Sequence, residues 1–206
     1  MSFEIIKPFG PSIVKVKIPD HIISEMNSYI NDLSRDEKKM SSLDYGPQLA
    51  GNVLQEFRLD IEFMKKINWA EFLARSCQKW LLDGHNISIK KFEIIDSWVV
   101  RQFKNDYNPI HFHSGHVSGV GYLKVPKNMG ATVQSNKKHN LNGKLVLIDG
   151  SKKLFCNPTH TITPEVGDFY LFPNYLMHAV YPFAETDEER RSVSFNAKLD
   201  NESGSI

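Results

Sequence analysis

The period of the apolar residues changes once along this chain, close to Gly84. Before that position, apolar residues recur at intervals of three and four, as on one face of a helix. After it, they alternate with polar residues, as along a strand. The sequence therefore predicts helices in its first part and a β-rich second part.

Two helices and one strand are predicted in the first part. Alternating apolar residues at 13–18 indicate the strand, and Asp20 is well placed to cap the helix that follows. The second helix is expected to begin at Asn68, with Glu71 completing a variant of the capping box, and to end near Gly84. The apolar stripes that these helices are expected to bury are Ile22, Met26, Ile30 and Leu33, and then Trp69, Leu73, Cys77, Trp80 and Leu81. Between the helices, the polar residues 34–52 predict a loop that overhangs a pocket.

The second part predicts about seven short strands separated by Gly, Pro and Asn turns. This pattern is typical of an antiparallel sandwich or an open barrel. In the first of these strands, Trp98, Val100 and Gln102 share one face. Residues 200–206 are expected to be frayed. The predicted strands comprise residues 92–103, 110–114, 117–125, 144–148, 168–172, 179–183 and 191–199.

Length and charge narrow the class of protein. The 206 residues suit one domain, and a formal net charge of +1 indicates neither nucleic acid nor a membrane surface as a partner. The first residues lack the apolar core of a signal peptide, and no run is long enough to span a bilayer, so we expect a cytoplasmic protein. Cys77 and Cys156 fit no CxxC spacing and are expected to be free thiols.

Candidate chemistry is concentrated in the histidine-rich residues 108–122. If residues 110–114 are extended, the alternation of a strand sends His111 and His113 to the same face, so that two imidazoles point at one place. His178 directly follows a turn that can aim it inward, and it is a candidate third ligand. Three histidines on one side of a metal leave positions open for substrates, as a catalytic site requires.

A second group of polar residues lies near the carboxyl end. Alternation over residues 190–196 places Arg190 and Ser192 on one face, together with Ser194 and Asn196. An arginine with a neighbouring hydroxyl suits a buried carboxylate, because a bidentate charged pair offsets desolvation. A register slip of one residue would exchange the faces of Arg190 and Arg191. We prefer Arg190 as the carboxylate ligand, because without a slip Arg191 lies on the core-packing face with Val193 and Phe195. Further hydroxyls come from Ser118 and Tyr122, which also alternate along a predicted strand.

These motifs occur in a defined order over roughly half the chain. They run Trp98, Asn108-x-x-His111-x-His113, Ser118-Gly119-Val120-x-Tyr122-Leu123, Gly167-Asp168, Phe172-Pro173, His178-x-Val180 and Arg190-x-Ser192-x-Ser194-Phe195-Asn196. The series resembles the 2-oxoglutarate- and iron(II)-dependent oxygenases of bacteria and marine phages. The ordered combination is much more specific than any single motif.

The resemblance implies a mainly β fold, a double-stranded β-helix or jelly roll, with Fe(II) at its open end. It implies that His111 and His178 are iron ligands and that Arg190, with Ser192, binds the distal carboxylate of 2-oxoglutarate. The implied activity is a dioxygenase that consumes O2 and 2-oxoglutarate, releases succinate and CO2, and hydroxylates a substrate that no motif identifies. We therefore expect one domain, 1–206, in which residues 1–85 supply a strand and covering helices and residues 86–199 the catalytic core. Ser118 and Tyr122 are predicted to join the co-substrate site.

Position 113 departs from the wider superfamily, in which the second ligand is an Asp or a Glu. Ferrous iron tolerates three neutral histidines, so we favour His113 as the remaining ligand, in a site with one negative charge fewer. Alternatively, His113 lies beside the metal without contacting it, and Asp149 or water is the ligand. His116 is expected to line the pocket or lie at the surface, and His139 and His160 are expected in polar loops.

Two other classes of protein fit part of the pattern. A zinc hydrolase could use the same three histidines, but it has no use for the arginine and hydroxyl pair, and its activity would not require O2 and 2-oxoglutarate. A jelly-roll binding module without activity would show no metal-dependent turnover. The expected walls of the substrate pocket, residues 34–52, 126–141 and 149–151, carry no recognisable code.

Overall fold

The computed structural model describes residues 3–6, 10–132, 134 and 136–201. Over these residues the chain is mainly β, and its four α-helices all precede the long strand β4. The elements are β1 Phe3–Ile6, β2 Ile13–Lys17, α1 Asp20–Leu33, α2 Glu37–Leu43, β3 Gln55–Arg58, α3 Ile61–Lys66, α4 Trp69–His85, β4 Ile89–Gln102, β5 Asn108–His111, β6 Val117–Lys124, β7 Leu145–Ile148, β8 Thr159–Ile162, β9 Asp168–Pro173, β10 Met177–Val180 and β11 Arg190–Asn201.

The strands form two antiparallel sheets, and the predicted jelly roll is confirmed. The larger sheet has the order β1-β2-β9-β6-β11-β4-β3, and the smaller has the order β5-β10-β7-β8. The larger sheet takes three of its strands from the first 58 residues of the chain. Side chains from both sheets line one cavity, which lies between them.

Alternation along the strands separates two hydrophobic cores. Val193 and Phe195 of β11 pack with the helices in the larger core, which also contains the apolar stripes predicted for α1 and α4. Tyr122 of β6 belongs to a second core that reaches the smaller sheet through Leu145 and Leu147 of β7. The helices therefore cover one face of the larger sheet, and its other face is left for the cavity.

Both helices form, and Asn68 occupies the N-cap position of α4 as predicted, but neither predicted cap makes a side-chain hydrogen bond. Asp20 is the first residue of α1 and makes no capping hydrogen bond, since Pro19 precedes the helix in an extended conformation. Asn68 has a left-handed conformation with φ of 59°, which turns the chain sharply between α3 and α4, and its side chain caps nothing. Burial of the apolar stripes, rather than capping, therefore fixes these two helices.

The segment at residues 34–52 is not the loop that was predicted. It contains α2, whose N-cap Asp36 accepts a hydrogen bond from the backbone N–H of Lys39, and a 3-10 turn at Gly46–Gln48. Met40 and Leu43 of α2 are partly buried against the larger core, and two apolar positions are too few for the sequence to reveal a helical stripe.

Short strands account for most of the other differences. The strands β1, β3 and β8 were missed, each having four residues, and β10 begins two residues before the predicted segment 179–183. Residues 200 and 201 belong to β11 instead of being frayed, and residues 202–206 lie outside the described residues. Cys77 is buried and Cys156 exposed, and both are free thiols as predicted. Within the described part of the chain, no helix is long and apolar enough to cross a membrane.

Candidate metal and co-substrate site

Neighbouring strands of the smaller sheet bring the three histidines together. His178 in β10 lies opposite His111 in β5. His113 follows the end of β5, where its backbone N–H donates to the carbonyl of Asn174 at 3.0 Å and its own carbonyl accepts from the Asn174 side chain at 2.9 Å. Phe112, between the two histidines, is 67% exposed, so the chain alternates here as an extended segment does.

The ring nitrogens are arranged as metal ligands would be. Candidate ligand atoms of His111, His113 and His178 all lie within 4.8 Å of one another. The Nδ1 atoms of His111 and His178 lie 2.7 and 2.9 Å from the backbone carbonyls of Pro109 and Leu176. Since these carbonyls accept a hydrogen bond from the Nδ1–H group, the Nε2 atom of each ring carries the lone pair.

The spacing of two of these nitrogens fits a shared metal ion. The Nε2 atoms of His113 and His178 are 3.1 Å apart. Two metal–nitrogen bonds of about 2.1 Å at a right angle would place their nitrogens about 3.0 Å apart. Asp149, the alternative ligand, is not in the group of candidate ligand atoms found among the described residues. The histidines present therefore fit the metal on their own.

Burial keeps these imidazoles neutral. Desolvation, together with the neighbouring His178 and His111, lowers the pKa of His113 to about 3. Desolvation and His111 likewise lower the pKa of His178 to about 4. At neutral pH both rings therefore offer lone pairs without first losing a proton, as metal binding requires.

Other histidines predicted near the site have different surroundings. His116 accepts a hydrogen bond through Nδ1 from the backbone N–H of Leu199 at 3.0 Å, so it fixes the end of β11 instead of lining the cavity. His160 is in β8, opposite Leu147, and not in a polar loop. His139 is exposed, as expected.

Arg190 faces the cavity, and Arg191 faces the helices. Arg190 is 1% exposed, its Nη1 donates to Oε1 of Gln102, and its guanidinium lies 5.1 Å from the ring centroid of Tyr122. Its Nε and Nη2 atoms have no hydrogen-bond partner among the described residues. Arg191 instead donates to Glu189 at 2.7 and 2.9 Å. A buried guanidinium with two free donors is suited to bind a carboxylate.

The hydroxyl groups predicted around Arg190 have three different surroundings. Ser192 lines the cavity together with Ser194. Tyr122 lies against the guanidinium and is fully buried; its hydroxyl makes no hydrogen bond of good geometry in the described part of the chain, and Arg190 is its polar neighbour. Ser118 donates to Oδ1 of Asn196 at 2.7 Å and is not among the residues described as lining the cavity.

One carboxylate in the cavity wall, that of Glu56, was not predicted from the sequence. Burial, followed by repulsion from Asp44, raises its pKa to about 7. Its strand, β3, has four residues without marked alternation, so no periodic signal was available. Residues 48–50 also line the cavity, as predicted for the overhanging segment, whereas none of the described residues of 126–141 and 149–151 does.

Comparison with known proteins assigns a family to half of the chain. Residues 96–196 match the model of the family described as "Putative 2OG-Fe(II) oxygenase". No curated protein sequence matches the chain.

Several solved structures share the fold over most of the chain. A prolyl-4-hydroxylase from Pseudomonas putida has a TM-score of 0.57 at 13% identity, covering 90% of this chain and 92% of that one. The viral collagen prolyl hydroxylase from Paramecium Bursaria Chlorella virus-1, in a 2OG complex, has a TM-score of 0.55 at 17% identity and covers 89% and 94%. HygX from Streptomyces hygroscopicus, with iron bound, has a TM-score of 0.54 at 10% identity and covers 90% and 81%. Identities this low establish likeness of fold alone.

Proposed function

Since this chain belongs, through residues 96–196, to the 2OG-Fe(II) oxygenase family of oxidoreductases, we propose that it hydroxylates a C–H bond of a prime substrate. One oxygen atom of O2 enters the product alcohol, and the other enters succinate as 2-oxoglutarate loses CO2. The observation that carries this proposal is one cavity with three neutral imidazoles and the free donors of a buried arginine in its walls.

We assign the three histidines His111, His113 and His178 to hold Fe(II). When bound, this ion supplies the redox chemistry that activates O2 toward a C–H bond. The chain supplies the geometry: carbonyl groups orient two of the rings, and burial keeps the rings neutral. The cavity wall also limits the access of water.

We assign Arg190 and Ser192 to the distal carboxylate of 2-oxoglutarate. Gln102 accepts from Nη1 of Arg190 and so orients the guanidinium, while Nε and Nη2 are left for the ligand. Tyr122 stabilises the buried charge from one side and offers its hydroxyl to the same carboxylate. Ser118 has an indirect role, through Asn196 in the same strand as the arginine. The cytoplasmic location and the division of one domain into residues 1–85 and 86–199 stay predictions.

An anaerobic titration of metal-free protein with Fe(II) and 2-oxoglutarate, followed by visible absorption, tests the proposal. We expect a charge-transfer band in the wild type and in the His139→Ala control, whose histidine is exposed. The band should be lost in His178→Ala. Arg190→Leu should need roughly 10- to 100-fold more 2-oxoglutarate, since hydrogen bonds between charged groups contribute about 1.5–3 kcal/mol. A folded wild type without the band would overturn the assignment.

A further inference from the structure

Glu56 places a buried carboxylate without a charged partner in the cavity wall. The residue is 1% exposed, and neither carboxylate oxygen makes a hydrogen bond of good geometry among the described residues, although the amide of Asn108 lies near enough to offset part of the rise in its pKa. Glu56 lies opposite Val100 of β4, which in turn lies opposite Ser192 of β11, so all three share one face of the sheet. A buried carboxylate is costly unless a proton or a ligand satisfies it.

The cavity has a cationic end and an anionic end. Among the described residues that line it, Arg190 is the one guanidinium or ammonium group and Glu56 the one carboxylate. Because β4 lies between β3 and β11, the backbones of Glu56 and Ser192 are about 10 Å apart at the usual spacing of strands. A co-substrate carboxylate held by Arg190 and Ser192 therefore leaves Glu56 available to a second ligand.

The surroundings of Glu56 favour a cation as that ligand. The charges of Asp44 and Asp106 both act on Glu56, so the local field repels anions. Arg58, two residues along β3, pairs with Asp96 at 3.0 Å rather than with Glu56. Trp98 lines the same cavity, and its indole ring suits contact with an ammonium or guanidinium group.

The segment that contains Gly51 lies over the cavity and close to this carboxylate. A Cβ atom at Gly51 would come within 3.0 Å of Oε1 of Glu56 and within 2.7 Å of Nδ2 of Asn108. Glycine thus lets the chain close over Glu56 and shield it from water. Shielding strengthens the attraction between the carboxylate and a cation that enters the cavity.

From these contacts we infer that Glu56 recognises a cationic group of the prime substrate, an alkylammonium or alkylguanidinium ion. The inference rests on the proposed function, in which the histidines and Arg190 are used by the metal and the co-substrate. The substrate cation gives the buried carboxylate the charged partner that the described chain does not supply. Substrates without such a group leave Glu56 unpaired and are rejected for that reason.

Calorimetric titration with four probes that carry a short unbranched alkyl chain tests the inference. Protein loaded with Fe(II) and 2-oxoglutarate under anaerobic conditions is titrated with butylammonium, butylguanidinium, 1-butanol and butyrate. We expect at least one cationic probe to bind at least about 10-fold more tightly than butanol, with butyrate the weakest. Glu56→Gln, which keeps the shape of the side chain, should abolish this preference. Glu62→Gln, which alters an exposed carboxylate paired with Lys65, should retain it.

The inference fails if neither cation binds more tightly than butanol or if Glu56→Gln keeps the preference. The charge-transfer band of the wild type separates this failure from that of the proposed function. If the wild type shows the band but no preference for cations, this inference alone is wrong. If the wild type lacks the band, the proposed function is wrong, whichever probes bind.

Discussion

Arg190 and Glu56 are buried in the cavity wall with polar atoms that no described residue satisfies. Leaving such an atom unpaired costs on the order of 1–3 kcal/mol. A chain selected for stability alone would pair or replace these residues, so their surroundings indicate ligands on both. At the scale of single residues, Arg190 and Glu56 therefore lower the stability of the free protein and serve the binding of ligands.

The pH dependence of stability should reveal Glu56. Its pKa in the folded state is about 7, above the ordinary value of 4.5. Its favourable contribution to the free energy of unfolding is therefore complete below pH 4.5 and is lost as the pH rises through 7. Glu56→Gln should therefore be more stable than the wild type at pH 8, by on the order of 3 kcal/mol, and should show little advantage at pH 4. Urea denaturation at both pH values measures the difference. An advantage that does not change with pH would contradict the raised pKa.

At the scale of elements, Glu189 joins two strands and, through Arg191, a helix. It accepts from Arg101 of β4 and from Arg191 of β11, each at 2.7 Å. Arg191 also donates to Oδ1 of Asn27 in α1 at 3.0 Å. Burial would raise the pKa of Glu189, but the hydrogen bonds from the two arginines outweigh it and lower the pKa to about 2.

Glu189→Gln should destabilise the protein by about 2–4 kcal/mol at pH 7, because it leaves two buried or half-buried guanidinium groups without their carboxylate. The folded pKa lies below the ordinary 4.5, so the contribution is present above 4.5 and is lost as the pH falls toward 2. Chemical denaturation of the wild type and of Glu189→Gln at pH 7 and pH 3 measures this contribution to stability. Glu165→Gln, at an exposed position, should change stability by less than about 0.5 kcal/mol. Equal losses in the two variants would contradict this role.

Two glycines of β6 let the larger sheet pack closely. A Cβ at Gly121 would lie 2.3 Å from a ring carbon of Phe169, and one at Gly119 would lie 2.6 Å from the ring of Phe195. These two rings stack at a centroid distance of 5.9 Å in the core beneath the helices. The missing side chains thus provide the space that the aromatic rings fill.

Gly121→Ala should destabilise the protein by about 1–3 kcal/mol, because its methyl group overpacks a filled core. Gly84→Ala in α4 is the matched control, since a Cβ there makes only ordinary contacts of 3.5 Å or more with side chains. It should stabilise the protein by up to about 1 kcal/mol, as alanine does in place of glycine within a helix. Thermal denaturation of both variants measures whether each substitution lowers or raises the stability. A stable Gly121→Ala variant would show that the rings can move away.

At the scale of the whole molecule, metal and co-substrate should act as stabilising ligands. At 100 times its dissociation constant a ligand adds about 2.7 kcal/mol. For a chain of this length that corresponds to a rise in Tm of about 5–10 °C. Anaerobic thermal denaturation with Fe(II), with and without 2-oxoglutarate, measures it. The increment from 2-oxoglutarate should disappear in Arg190→Leu, and its persistence there would place the co-substrate elsewhere.

Long periodic segments were predicted well, and short or irregular ones were not. The stripes of α1 and α4 and the alternation of β4 and β11 were recovered because each repeats over several turns or pairs of residues. The helix α2 and the strands β1, β3 and β8 have seven residues or fewer, too few for a period to emerge. The strand β3 also pairs with β4, which is distant in sequence.

The sequence by itself determined the class of fold and the histidine and arginine candidates, because these follow from local alternation: His111 and His113 are two residues apart, and Arg190 and Ser192 share one strand face. The tertiary structure alone decided which elements meet. It places His178 beside His111, assigns His116 to the end of β11, and brings Glu56 into the wall. Pairing across long separations depends on packing of the whole sheet, which no local period encodes.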